Sequence, residues 1–159
     1  MKNLIIIAAI ILLGAPSCKK SSDGGGGIPA GVFFTLDGTS MSLNSARAVQ
    51  SSSGSIYTLQ FYGYIGAGGA SNELIGQIQA QSPITAMTYT EEGTTEMAGL
   101  GYFIFPSGTA YSNNHSATNP VTITITSITS TNVQGTFKGD IFNGADKKVL
   151  ASGTFNLNF

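Results

Sequence analysis

Tryptophan is missing from this 159-residue chain, and cysteine and histidine occur once each, as Cys18 and His115. A single cysteine excludes an intrachain disulfide and every paired-cysteine zinc or redox motif. A single histidine excludes a metal site built from imidazoles alone, and any serine–histidine–acid set would have to use His115. Charge is also scarce, with 7 Lys and Arg against 8 Asp and Glu. From residue 28 onward the bases are Arg47, Lys138, Lys147 and Lys148, and the acids are Asp37, Glu73, Glu91, Glu92, Glu96, Asp140 and Asp146, a net of −3. Phosphate binding needs a basic stripe that is absent, so nucleic acid is disfavoured as a partner. Long apolar runs are lacking too. The uncharged stretch 4–15 has twelve residues, whereas a membrane-spanning helix needs roughly 20.

What is present at the start is a layout for export. Met1-Lys2-Asn3, the apolar stretch and the small residues before Cys18 follow the order of a secretory signal, with Ala15 and Ser17 in the small-x-small positions. Cys18 also resembles the modified cysteine of a bacterial lipoprotein. That group usually carries Leu three residues before the cysteine, and here Ala15 stands there. The resemblance implies a diacylglycerol on the sulfur and an amide-linked fatty chain such as palmitate. Two or more chains anchor a protein stably at about 0.8 kcal/mol per buried methylene, where one holds it only marginally. The expected organisation is a signal peptide at 1–17, a lipidated Cys18 with a flexible tether through residue 27, and one domain at 28–159. Residues 19–27, Lys-Lys-Ser-Ser-Asp and four glycines, bury nothing and reach roughly 16 Å as a coil. The glycine run lacks the flanking strand, helix and Lys-Ser/Thr pair of a phosphate loop.

The domain reads as strands. Apolar and polar residues alternate between turn signals, and no helical period is convincing. Asp37-Gly38 between two alternating runs predicts a two-residue type I′ hairpin with Phe34 opposite Met41 and Val32 opposite Leu43. Residues 56–65 put Tyr57, Leu59, Phe61 and Ile65 on one face, and Tyr62 and Tyr64 with Gln60 on the other. A glycine-rich turn at 66–71, a strand around 74–80, a short one within 84–90 and a central one at 97–105 follow. Gly99 and Gly101 in that central strand predict close packing over them. The polar stretch 106–120 has room for a brief strand near Ala110. Val121, Ile123 and Ile125 point inward from a β-branched run.

The last two strands, 133–141 and 149–159, each carry Gly-Thr-Phe. A turn at Asn143-Gly144 would strand Val149, Ala151 and Phe155 on the polar face. A longer loop centred on Ala145 instead sets Phe137 against Gly153 and Gly135 against Phe155, so that each ring covers a bare glycine. The expected fold is therefore all-β, an antiparallel β-sandwich of about 8–10 strands, with a flattened up-and-down, lipocalin-like barrel as the alternative.

The signal ending in Ser17-Cys18-Lys19-Lys20, the glycine tether, Phe34-Thr-Leu-Asp-Gly38, Pro120-Val-Thr-Ile-Thr-Ile-Thr-Ser-Ile128 and the closing Gly-Thr-Phe strands resemble small Bacteroidetes lipoproteins of unknown function. The resemblance implies a lipid-anchored protein of the cell envelope, at the outer membrane. It carries over no activity.

Candidate sites are few. His115 sits among Asn113, Asn114 and Ser116 as an exposed loop imidazole, and no Gly-x-Ser-x-Gly pattern accompanies it. Glu91, Glu92 and Glu96 read as a solvated turn, because the ordered spacing of a calcium loop is missing. No catalytic set, metal site or cofactor is expected. Tyr62 and Tyr64, about 7 Å apart on one strand face, offer two rings that stack on a sugar or a peptide. These features together point to a non-enzymatic binding or accessory module for an extended glycan or an envelope protein. The alternatives are a structural subunit of an outer-membrane complex and a barrel carrying a small apolar molecule.

Overall fold

The computed structural model describes residues 27–65, 71–115 and 118–159. The signal segment, Cys18, the tether up to residue 26 and residues 66–70 of the turn lie outside the described residues. Within them are eleven strands: β1 (Gly31–Leu36), β2 (Thr39–Ser42), β3 (Asn44–Ser53), β4 (Ile56–Ile65), β5 (Asn72–Ala80), β6 (Thr88–Thr90), β7 (Glu96–Ile104), β8 (Thr109–Ser112), β9 (Thr122–Ile128), β10 (Asn132–Asn143) and β11 (Asp146–Asn158). All pair antiparallel in one sheet of order β2-β1-β11-β10-β8-β7-β5-β4-β3, with β9 beside the first half of β10 and β6 beyond β9. The sheet curls until β3 lies against β1 and β11, so it is nearly closed into a barrel with two facing walls. The all-β, antiparallel expectation holds, with eleven strands in place of eight to ten.

Local sequence explains most of the pairing. Asp37 and Gly38 take φ of 50° and 81°, as a type I′ turn requires, and Phe34 pairs with Met41. The Leu43 N–H donates to the Val32 carbonyl at 3.0 Å, which continues the hairpin to the expected register. Leu59 and Phe61 face inward from β4, Leu74 and Ile78 from β5, and Val121, Ile123 and Ile125 from β9 and its approach. Across the interior, Phe61 stacks on Phe155 with centroids 4.6 Å apart, and Phe137 meets Phe61 at 5.3 Å and Phe34 at 5.9 Å. Rings from opposite walls thus fill the middle of the barrel, each contributing roughly 1.5–3 kcal/mol through burial.

Three of these rings lie on glycines. Phe155 pairs with Gly135, Phe137 with Gly153 and Phe61 with Gly76. A Cβ on Gly76 would fall 2.1 Å from the Phe61 ring, and one on Gly153 would fall 2.6 Å from that of Phe137. The first two pairs are those expected from the repeated Gly-Thr-Phe unit; the third follows the same rule in β4 and β5.

The expected longer loop between β10 and β11 is absent. Asn143 pairs with Asp146 across a two-residue turn at Gly144-Ala145. The register that covers the glycines is recovered by a bulge in β11, where Gly139 pairs with Leu150 while Phe137 pairs with Gly153. Ser152 there takes a φ of 50°, and β1 shifts register over the same stretch. A tight turn plus a bulge does what a longer loop was expected to do.

Two further differences concern elements with weak patterns. The strand expected within 84–90 is only Thr88–Thr90, although Ile84 is buried. Tyr89 turns inward and its hydroxyl is tied to both backbone groups of Thr85, at 2.9 and 3.1 Å. The ten-residue β3, with its Ala-Arg-Ala-Val-Gln followed by three serines, lacks the apolar alternation that would have revealed it.

A polar cluster closes one margin of the sheet. Asp37 accepts from the Val149 N–H at 2.8 Å and meets the Lys148 ammonium at 3.3 Å. Lys148 in turn lies over the Tyr111 ring, 5.0 Å from its centroid, and the Tyr111 hydroxyl donates to Asp146 at 2.5 Å. The hydrogen bond to the Asp146 carboxylate, with burial adding to it, raises the Tyr111 pKa above 10.0. Burial opposes the charge on Lys148, but the hydrogen bond and charge of Asp37, with Tyr111 and Asp146, outweigh it and raise its pKa above 10.5.

Candidate functional site

The outer face of β3, β4, β5 and β7 is built in rows by the strand register. One row runs Asn44, Tyr64, Glu73, Phe103, and the next Arg47, Tyr62, Ile75, Gly101. The row after that runs Val49, Gln60, Gln77, Gly99. Neighbouring strands lie about 4.8 Å apart and alternate residues about 7 Å apart, so this face is a rigid grid of side chains at fixed spacing.

Tyr62 and Tyr64 share this face as expected, but they are not equivalent. Tyr64 is 44% exposed and flanked by Asn44 and Glu73. Tyr62 is half-buried, with the Arg47 guanidinium 4.6 Å from its ring centroid. That cation–π contact fixes the Tyr62 ring at little entropic cost to a bound partner.

Beside the rings the surface drops into a trough of about 430 Å³. Its floor is β7, where Gly99 and Gly101 present no side chains. Close packing is expected over these glycines; the structure sets one neighbouring side chain close to each, with the trough beside it. A Cβ on Gly101 would find its nearest neighbour at 3.5 Å, and one on Gly99 would touch only the Asn113 Oδ1, at 3.2 Å. Glycine in a strand interior weakens it; here its effect is to leave open space on the outer face. One bank carries Ile75, Gln77 and Gln79, and the other carries Asn113 and His115. The Gln60 amide donates to the Gln77 Oε1 at 3.2 Å, and the Asn113 Oδ1 accepts the Leu100 N–H at 3.3 Å. The trough therefore offers flat apolar surface, amides that both donate and accept, and one imidazole.

His115 is exposed, as expected for a loop histidine, and takes a φ of 59° in the segment after β8. Glu91 overturns its expectation. The run of acids predicts a solvated turn for Glu91, Glu92 and Glu96, yet Glu91 is 1% exposed while Glu92 lies at the surface. The reason is register: its N–H donates to the Val121 carbonyl at 3.0 Å and carries the β6–β9 pairing one residue past Thr90. Tyr89 points inward, so Glu91 does too. Glu91 also borders the trough, whose lining takes in the buried Ala98 and Leu100 of the inner face as well. The sequence signal for this was available in the alternation Tyr89-Thr90-Glu91, but the run of acids outweighed it. Among the described residues no group of three His, Cys, Asp or Glu is placed to hold a metal. No helix among them is long and apolar enough to cross a membrane. No family model, curated protein or solved structure matches this chain.

Proposed function

We propose that the protein is a non-enzymatic binding module that receives an extended glycan on the outer face of β3, β4, β5 and β7. We further propose that it is held at the cell envelope by lipid on Cys18. The observation that carries the binding reading is the trough: two backbone positions without side chains, three amides shared between its two banks, and rings beside it. A sugar presents C–H faces that stack on rings and hydroxyls that pair with amides, and an extended chain fits a straight strand floor. The grid is made of strands, so little conformational freedom is lost on binding. Carriage of an apolar molecule inside the barrel gains no support, because Phe61 and Phe155 meet ring to ring across its middle.

Calorimetric titration with neutral oligosaccharides tests this reading. Tyr64→Ala removes an exposed ring, and Gly101→Val fills the floor without touching the core. Each should weaken binding at least about tenfold, or 1.4 kcal/mol, with the melting temperature within about 3 °C of the unaltered protein. Affinities unchanged in both variants would refute the placement of the site.

A further inference from the structure

The domain buries two carboxylates and treats them differently. Asp140 is 2% exposed, and its oxygens are satisfied by Asn119 at 2.6 Å and by Lys147 at 2.9 Å. Glu91 is 1% exposed, and neither of its oxygens has a hydrogen-bond partner among the described residues. Leaving a buried carboxylate unpaired costs several kcal/mol, which makes it a group that calls for a partner.

No lysine or arginine of the domain fills that role, and neither does His115, which lines the same trough. Arg47 lies on Tyr62, Lys147 on Asp140 and Lys148 on Asp37, while Lys138 is exposed on β10, outside the trough.

The location of Glu91 explains how a partner from outside could reach it. β8 pairs with β7 only over Gly101 to Ile104, and β9 pairs with β10 and β6. Along Met97 to Gly99, no strand among the described residues is hydrogen-bonded to β7 on the side away from β5. The barrel wall has a seam there. Glu91 sits at the seam and lines the trough together with Gly99, Asn113 and His115.

We propose that Glu91 is the anchor for a primary ammonium group carried by the bound saccharide, so that the trough selects glycans containing amino sugars with a free amine. This rests on the glycan reading above. An ammonium brings three donors and the charge that the carboxylate lacks, and charge-assisted bonds of this kind are about twice as strong as neutral ones. Two donors match the two Glu91 oxygens. The third is left for another acceptor of the trough lining, of which the Asn113 Oδ1 is one. A bare metal ion suits the place less well, because no second and third anionic ligand stands beside Glu91 among the described residues.

Three probes separate the possibilities: a glucosamine hexamer with free amines, its fully N-acetylated counterpart, and cellohexaose, each titrated into the protein and into Glu91→Gln. The free-amine hexamer should bind at least about tenfold more tightly than the other two, and Glu91→Gln should abolish that preference. The uncomplexed Glu91→Gln protein should also melt higher, because an isosteric amide is cheaper to bury than an unpaired charge. Equal affinity for the three probes in the unaltered protein overturns the amine assignment and leaves the glycan reading standing. A preference that persists in Glu91→Gln overturns the assignment as well. Failure of all three probes to bind overturns both readings. The probe comparison needs no variant, so it decides the matter even if Glu91→Gln folds poorly.

Discussion

The sharpest test of the packing described here substitutes alanine at two glycines of adjacent strands, Gly76 in β5 and Gly101 in β7. Both replacements gain the same backbone advantage, about 0.5–1 kcal/mol from restricting the unfolded chain and improving strand propensity. They differ in what the new methyl meets. At Gly76 it falls 2.1, 2.3 and 2.6 Å from three atoms of the Phe61 ring. That ring cannot retreat, because it is 1% exposed, stacked on Phe155 and tilted against Phe137. Overpacking of this kind costs about 1–3 kcal/mol, and a trapped ring belongs at the upper end. Net destabilisation of about 2 kcal/mol follows for Gly76→Ala, set against a gain of about 0.5 kcal/mol for Gly101→Ala, whose methyl meets only ordinary contacts. For a domain of this size the two variants should melt about 7 °C below and about 2 °C above the parent. Thermal and urea unfolding followed by circular dichroism, with unchanged m-values, would measure both. A Gly76→Ala protein as stable as the parent would refute the claim that the Phe61 ring needs bare backbone beneath it.

Two further outcomes are expected. Tyr111 and Lys148 both have pKa values raised in the folded protein, so the stability they contribute is complete below about pH 10 and is lost as pH rises through the raised values; urea midpoints between about pH 8 and pH 12 should fall, less steeply in Tyr111→Phe, and an identical decline in the variant would sink the linkage. Cys18→Ser should move the protein from the membrane to the soluble fraction of lysed cells, and a variant that still sediments with bilayers would remove the lipid anchor from the proposal.

Much of the fold could be read in the sequence where side-chain alternation and turn chemistry agreed. Asp37-Gly38 set the first hairpin, and β-branched alternation set β9. The two Gly-Thr-Phe units set the pairing of β10 with β11, because an aromatic ring opposite a glycine is favoured in only one register. The turn itself was misread, since a bulge at Ser152 shifts register as effectively as an added loop residue, and Ser152 carries no glycine to announce its positive φ. β3 escaped because an exposed edge strand has little apolar face to show. At the candidate site, Tyr62 and Tyr64 were placed on the correct face. The trough beside them has no sequence signal, because Gly99 and Gly101 look the same in sequence whether they are tightly covered or border a hollow. Glu91 was hidden by its company: three acids within six residues suggest solvent, and only the pairing of β6 with β9 turns one of them inward.

The edges of the curled sheet also bear on how the protein behaves in numbers. Besides the three-residue β6, which pairs with β9 alone, its edges are β2 and β3, consecutive in the chain and joined only by Leu43. β2 is four residues long, and β3 begins with a register shift between Asn44 and Arg47 in which Ser45 takes a φ of 52°. A short strand and a kinked one make poor templates for a second molecule, since self-templating needs a long, flat row of unpaired amides. Copies brought side by side at high concentration can therefore touch without polymerising edge to edge.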